Sequence, residues 1–193
     1  MGYSLTALNQ SPKKTATYAD LEALPPHVVG EIIDGELIAS PRPASLHARA
    51  ATLLATALGG PFDRGTDGPG GWILLYEPEL HVVGQVLVPD LAGWRRARMP
   101  EMPDVAAFQL APDWVCEVLS PGTVKIDRAH KMRHSAAAKV GHTWLIDPAA
   151  TTLEVYRLDG DGWRLVQTYA GDVTIRPEPF DAAELELGGL WSR

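Results

Sequence analysis

Apolar positions change period several times along the chain, and each change marks an element. From Ser45 onward Leu46, Ala50, Leu53, Leu54, Ala57 and Leu58 recur at helical spacing, and Gly59-Gly60 follows as the expected stop. Ahead of this helix, TYADLEALP offers Thr17 as N-cap, Asp20 three residues on and a proline stop, which predicts a short helix. EIIDGELI predicts a hairpin, with Asp34-Gly35 supplying the positive φ angles of a tight turn.

Residues 59–71, GGPFDRGTDGPGG, read as a turn-rich connector without a phosphate-binding lysine. WILLY, ELHVV and QVLVPDLAGW, broken at Glu77-Pro78 and Gly84, predict adjacent antiparallel strands. A loop, RRARMPEMPDVAAFQLAP, leads to the WVCEVL strand, then to the helical DRAHKMRHSAAAKV and a further strand, HTWLIDP. LEVYRL and WRLVQTY flank DGDG as a last hairpin, and from Gly171 the pattern specifies little. Residues 1–16 are expected to form a flexible arm and 17–193 one domain. The order predicts a mixed α/β fold: a central mixed sheet flanked by helices, with an N-terminal and a C-terminal hairpin.

Composition narrows the functions. The 193 residues, 46% of them hydrophobic, suit one well-filled core. No stretch approaches the roughly 20 apolar residues of a membrane span, and the N-terminus lacks a signal-peptide pattern, so a cytoplasmic protein is expected. The single cysteine, Cys116, excludes an internal disulfide and multi-cysteine zinc sites. A net charge of -7 argues against non-specific coating of nucleic acid, which needs clustered cations. Two local basic candidates stand against that balance: GWRRARMP, and the helix with Lys125, Arg128, His130, Lys131, Arg133 and His134. No dinucleotide or Walker fingerprint and no nucleophile elbow appears.

The chemistry centres on Glu117, an acid inside the apolar run WVCEVL. A carboxylate there must pair, neutralise or coordinate a cation. Asp90, in VLVPDLAGW, is the other acid that interrupts an apolar strand. If the two strands are neighbours the carboxylates converge, which calls for a shared proton or a metal. Oxygen ligands of this kind suit Mg²⁺ or Mn²⁺.

These residues carry a resemblance. VPD ending at Asp90, PDWVCEVLSPGT around Glu117, Asp127 four residues before Lys131, and VGHTWLIDP resemble the Uma family of restriction-endonuclease-like bacterial proteins, a branch of the PD-(D/E)xK nuclease superfamily. GEIIDGELI and SLHARAATLLATAL extend the similarity over roughly residues 18–160. The resemblance implies a restriction-endonuclease-like core, with Asp90 and Glu117 holding the metal and Lys131 completing the catalytic set from the following helix. The superfamily's usual lysine position, two after the acid, is Leu119 here. Ser135 and Lys139 stand where related sequences carry tyrosine and glycine, and His142-Thr143-Trp144 replaces the usual EYW. Glu31 and His47 are supporting candidates, the first reaching the metal through a water, the second touching a phosphate or that water.

A Mg²⁺- or Mn²⁺-dependent DNA endonuclease is therefore expected. The alternatives are a catalytically weak module on the same fold that binds nucleic acid or a protein, and a structural homodimer paired through the WRLVQTY strand.

Overall fold

The computed structural model describes residues 15–192; most of the expected N-terminal arm lies outside them. Helix α1 (Tyr18–Glu22) opens on a reciprocal capping box between Thr17 and Asp20. Strands β1 (Val28–Ile33) and β2 (Glu36–Pro41) form the expected hairpin, with Asp34 at φ 54° and Gly35 at φ 76° in its turn. Helix α2 (Ser45–Leu58) buries Ala50, Ala51, Leu54 and Leu58. Gly59-Gly60 does not end it. Gly59 keeps helical angles, the chain continues through a π-helical turn (Gly59–Arg64), and the left-handed Gly65 at φ 71° closes the path. Phe62 explains the extension, because this added turn drives its ring into the core.

Six strands make the main sheet, in the order β10-β9-β8-β7-β6-β3. They are β3 (Trp72–Tyr76), β6 (Leu91–Arg95), β7 (Trp114–Val118), β8 (His142–Asp147), β9 (Thr152–Asp159) and β10 (Gly162–Ala170). β7 and β8 are parallel and the other pairs antiparallel. A parallel pair needs a crossover, which residues 124–137 supply. They run as α3 (Val124–Ile126), a π-helical turn (Asp127–Lys131) and α4 (Met132–Ala137).

The three apolar runs expected side by side are divided between two sheets. QVLVPDLAGW breaks into β5 (Gln85–Leu87) and β6, and β5 joins β4 (Leu80–Val82) and β1 in a second sheet of order β2-β1-β5-β4. Pro89 has no N–H for a ladder, and the amide of Val88 donates instead to the Glu31 carboxylate at 2.7 Å, so one run serves two sheets.

The segment after Gly171, weakly patterned in sequence, completes the core. It holds a small pair, β11 (Thr174–Ile175) and β12 (Leu185–Glu186), and it buries Phe180, whose ring meets those of Phe62, Trp72, Trp114 and Trp144 at 4.7–5.5 Å. Gly93, in the middle of β6, is required by close packing. A Cβ there would stand 2.8 Å from Leu74 and 3.2 Å from both the Trp72 and Trp114 rings. Gly93→Ala is expected to lower stability by about 1–3 kcal/mol, seen as a lower urea midpoint with an unchanged slope.

Candidate active site

The register of β6 against β7 builds the centre of the site. Leu91 lies opposite Cys116, so continuing the ladder by one residue sets Asp90 opposite Glu117. The Asp90 carboxylate accepts the Val118 amide at 2.7 Å through one oxygen and meets His47 Nε2 at 2.7 Å through the other. His47 comes from the first turn of α2. Cys116 and Val118 face the core under α2, whereas Glu117 and Leu119 face the other side of the sheet, where the 124–137 segment packs.

That segment delivers Lys131. Leu119, the residue after β7, stands where the resemblance would put a lysine, and the ammonium arrives from the helical side. Lys131 Nζ lies 2.9 Å from both Glu117 oxygens, 3.2 Å from Glu31 and 3.0 Å from the Val88 carbonyl, with its side chain 6% exposed. The wider π-helical turn buries Asp127 and Lys131 together, 3.9 Å apart. Such turns recur at functional sites because they re-aim side chains without ending the helix.

All five residues expected from the sequence thus meet in one place: Asp90, Glu117, Lys131, Glu31 and His47. Asp127 joins them as a further member, and its spacing of four residues from Lys131 was the signal for it. Ser135 is buried and Lys139 is exposed, paired with Asp161, and neither borders the cavity of about 560 Å³ that opens onto these groups. Lys139 has φ 63°, a left-handed conformation that favours glycine.

Four carboxylates therefore surround one ammonium. Burial pushes the Glu117 carboxyl well above the usual range; Lys131 opposes this, while Asp127, Asp90 and Glu31 reinforce it. Asp127 is raised for the same leading reason. Burial alone would lower Lys131, but the Glu117, Glu31, Asp127 and Asp90 charges outweigh it and hold the ammonium well above its ordinary value. Among the described residues no group of three or more His, Cys, Asp or Glu stands at metal-ligating spacing. Lys131 bridges Glu31 and Glu117 in their place.

The basic candidates fare differently. Arg95 stacks over Trp72 at 4.4 Å, Arg96 pairs with Asp63 and Arg98 with Asp113, both at 3.0 Å. They lie around the far end of β6 from Asp90, about 17 Å away at the usual rise per residue. Arg128 makes a two-pronged pair with Glu154, and His130, Arg133 and His134 converge on Asp34. Most of this charge is consumed within the fold.

The model of the Uma2 family, described as "Putative restriction endonuclease", matches residues 16–188. Among solved structures, a putative nuclease belonging to DUF820 from Anabaena variabilis superimposes with a TM-score of 0.73 at 22% identity, covering 91% of this chain and 97% of that one. That likeness shows the shared fold. No curated protein matches the chain. None of the described helices is long and apolar enough to cross a membrane.

Proposed function

This chain belongs to the Uma2 family of putative restriction endonucleases, and from that premise we propose that it is a Mg²⁺- or Mn²⁺-dependent endonuclease that hydrolyses phosphodiester bonds of DNA. The observation that carries the reading is the excess of buried carboxylate over ammonium around Glu117. Such a site is deficient in positive charge, and a proton or a divalent cation relieves it.

In kind, the two carboxylate donors suit the cation. Asp90 and Glu117 oppose each other across two strands, both offer oxygen, and Mg²⁺ and Mn²⁺ favour oxygen ligands. The Val118 carbonyl is a third candidate, because its own amide already faces Asp90 and the two groups of one strand residue point to the same side. A bound cation supplies Lewis acidity toward the phosphoryl oxygen and a more acidic water.

The chain's own groups do the rest. Asp90 is oriented by His47 and the Val118 amide, so its carboxylate is held before substrate arrives. Glu117, both of whose oxygens meet Lys131, would hold the cation together with Asp90. Lys131, held ammonium by its neighbours, stabilises charge developing on the phosphoryl group as water adds and the P–O bond to the leaving oxygen breaks. Glu31 keeps Lys131 on the sheet face through their 3.2 Å contact.

The test is incubation of supercoiled plasmid and single-stranded DNA with the protein in Mg²⁺, in Mn²⁺ and in EDTA. Cleavage with either cation and none in EDTA is the expected result. Cleavage that persists in EDTA would overturn the metal assignment, and no cleavage of either substrate would favour the binding-module reading.

A further inference from the structure

We infer that Arg42 is the substrate-contact residue of this site: released from Glu77, its guanidinium binds a backbone phosphate beside the scissile one. The inference rests on the nuclease reading and deepens it, because it requires a polynucleotide with a neighbouring phosphate rather than an isolated diester.

The cavity sets the problem. Its wall carries Glu31, Glu77, Asp90, Glu117 and Asp127, carboxylates that oppose a polyanion. Among the described residues, Arg42 and Lys131 are the Lys and Arg side chains on that wall. Lys131 is enclosed at the reacting centre, with its ammonium directed at Val88, Glu117 and Glu31. Arg42 is not enclosed: its side chain is 57% exposed, on the loop between β2 and α2, just ahead of the helical turn that carries His47.

Its present partners are exchangeable. One nitrogen meets Glu77 at 3.1 Å and another lies 3.4 Å from the Pro26 carbonyl. An ion pair this open to water is weak, and a phosphate offers the planar guanidinium two acceptors where Glu77 now offers one. Glu77 is itself specially held. It adopts φ 44°, its amide donates to the Asp90 carbonyl at 3.0 Å, and its carboxylate is the leading charge near Tyr76, whose hydroxyl is pushed up to about 12 by burial first and Glu77 next. Glu77 therefore parks Arg42 at the edge of the site, tied to the residue that begins the catalytic strand, and competes with the phosphate for it.

Binding of a short fluorescein-labelled DNA, single-stranded and duplex, is measured in Ca²⁺ over a salt series for wild type, Arg42→Ala, Arg42→Lys and Glu77→Gln, alongside plasmid cleavage in Mg²⁺ and in Mn²⁺. Arg42→Ala should weaken binding about tenfold and reduce the slope of log affinity against log salt by about one, the signature of one lost phosphate contact. Arg42→Lys should restore the slope with only part of the affinity, and Glu77→Gln should tighten binding. If Arg42→Ala and Glu77→Gln both weaken binding, lower Tm alike and leave the slope unchanged, the pair is a structural bridge and the inference falls. Should wild type cut DNA while the Arg42 variants keep its affinity and slope, the inference fails and the nuclease reading stands. Arg42-dependent binding without cleavage keeps the contact between Arg42 and a backbone phosphate and removes the nuclease reading, whereas neither binding nor cleavage by wild type removes both.

Discussion

Lys131→Met should abolish plasmid cleavage, lowering kcat by at least about 10²–10³, and destabilise the metal-free protein by about 3–5 kcal/mol. Both effects follow from one geometry. The ammonium is the buried cation that Glu117, Glu31 and Asp127 share, at 2.9, 3.2 and 3.9 Å. Methionine keeps the apolar stem and removes the charge, which leaves several buried carboxylates facing one another. The same reasoning sets the sign of cation linkage: Mg²⁺ should raise the Tm of Lys131→Met by more than it raises that of wild type, because the variant lacks more positive charge. Urea denaturation with and without Mg²⁺ reads the stability, and kcat is compared where circular dichroism shows both proteins folded. Full activity in the folded variant would remove Lys131 from the mechanism.

Glu117→Gln should be equally inactive, with an opposite signature in stability. The folded Glu117 carboxyl titrates well above its ordinary value of 4.5, so above that pH the unfolded chain loses the proton while the native protein keeps it. The native state then binds more protons, and this group's contribution to stability declines as pH rises from about 4.5 toward the folded pKa, at no more than about 1.4 kcal/mol per pH unit. Glutamine does not titrate. The stability of Glu117→Gln relative to wild type should therefore grow as pH rises above about 4.5 in EDTA, and Mg²⁺ should reverse the order by favouring the ionised wild-type carboxylate.

Other groups do not imitate this difference. Asp127 is raised as well and adds a slope of the same sign, but it is present in both proteins. Burial lowers His142, so its contribution rises with pH toward 6.5, again in both. Lys131 is raised, and its contribution stays full throughout this window because it is lost only in strongly alkaline solution. A pH-independent stability difference between Glu117→Gln and wild type would show that Glu117 is an ordinary ionised partner of Lys131.

Much of the site was legible in the chain because two kinds of rule are local. Alternation along WVCEVL puts Glu117 where an acid does not belong, and the ordered set of Asp90, Glu117, Asp127 and Lys131 supplies the resemblance that brought them together. The tight hairpin at Asp34-Gly35 and the Thr17 cap were equally readable, since turn and cap chemistry depend on a few adjacent residues. Gly59-Gly60 misled for the same reason. Local propensity favours a stop, and the burial of Phe62 against Phe180, a residue far along the chain, overrides it.

The sequence by itself determined most of the elements, their faces and the residues able to do chemistry, because side-chain period, turn preference and the cost of a buried charge act over short distances. Tertiary structure alone decided which of those faces meet. It set β5 in one sheet and β6 in another across Pro89, brought β1 and the 124–137 segment onto a common side so that Glu31 reaches Lys131, and parked Arg42 on Glu77, 35 residues away. Such long-range pairings depend on burial summed over the whole core, which no window of the chain contains.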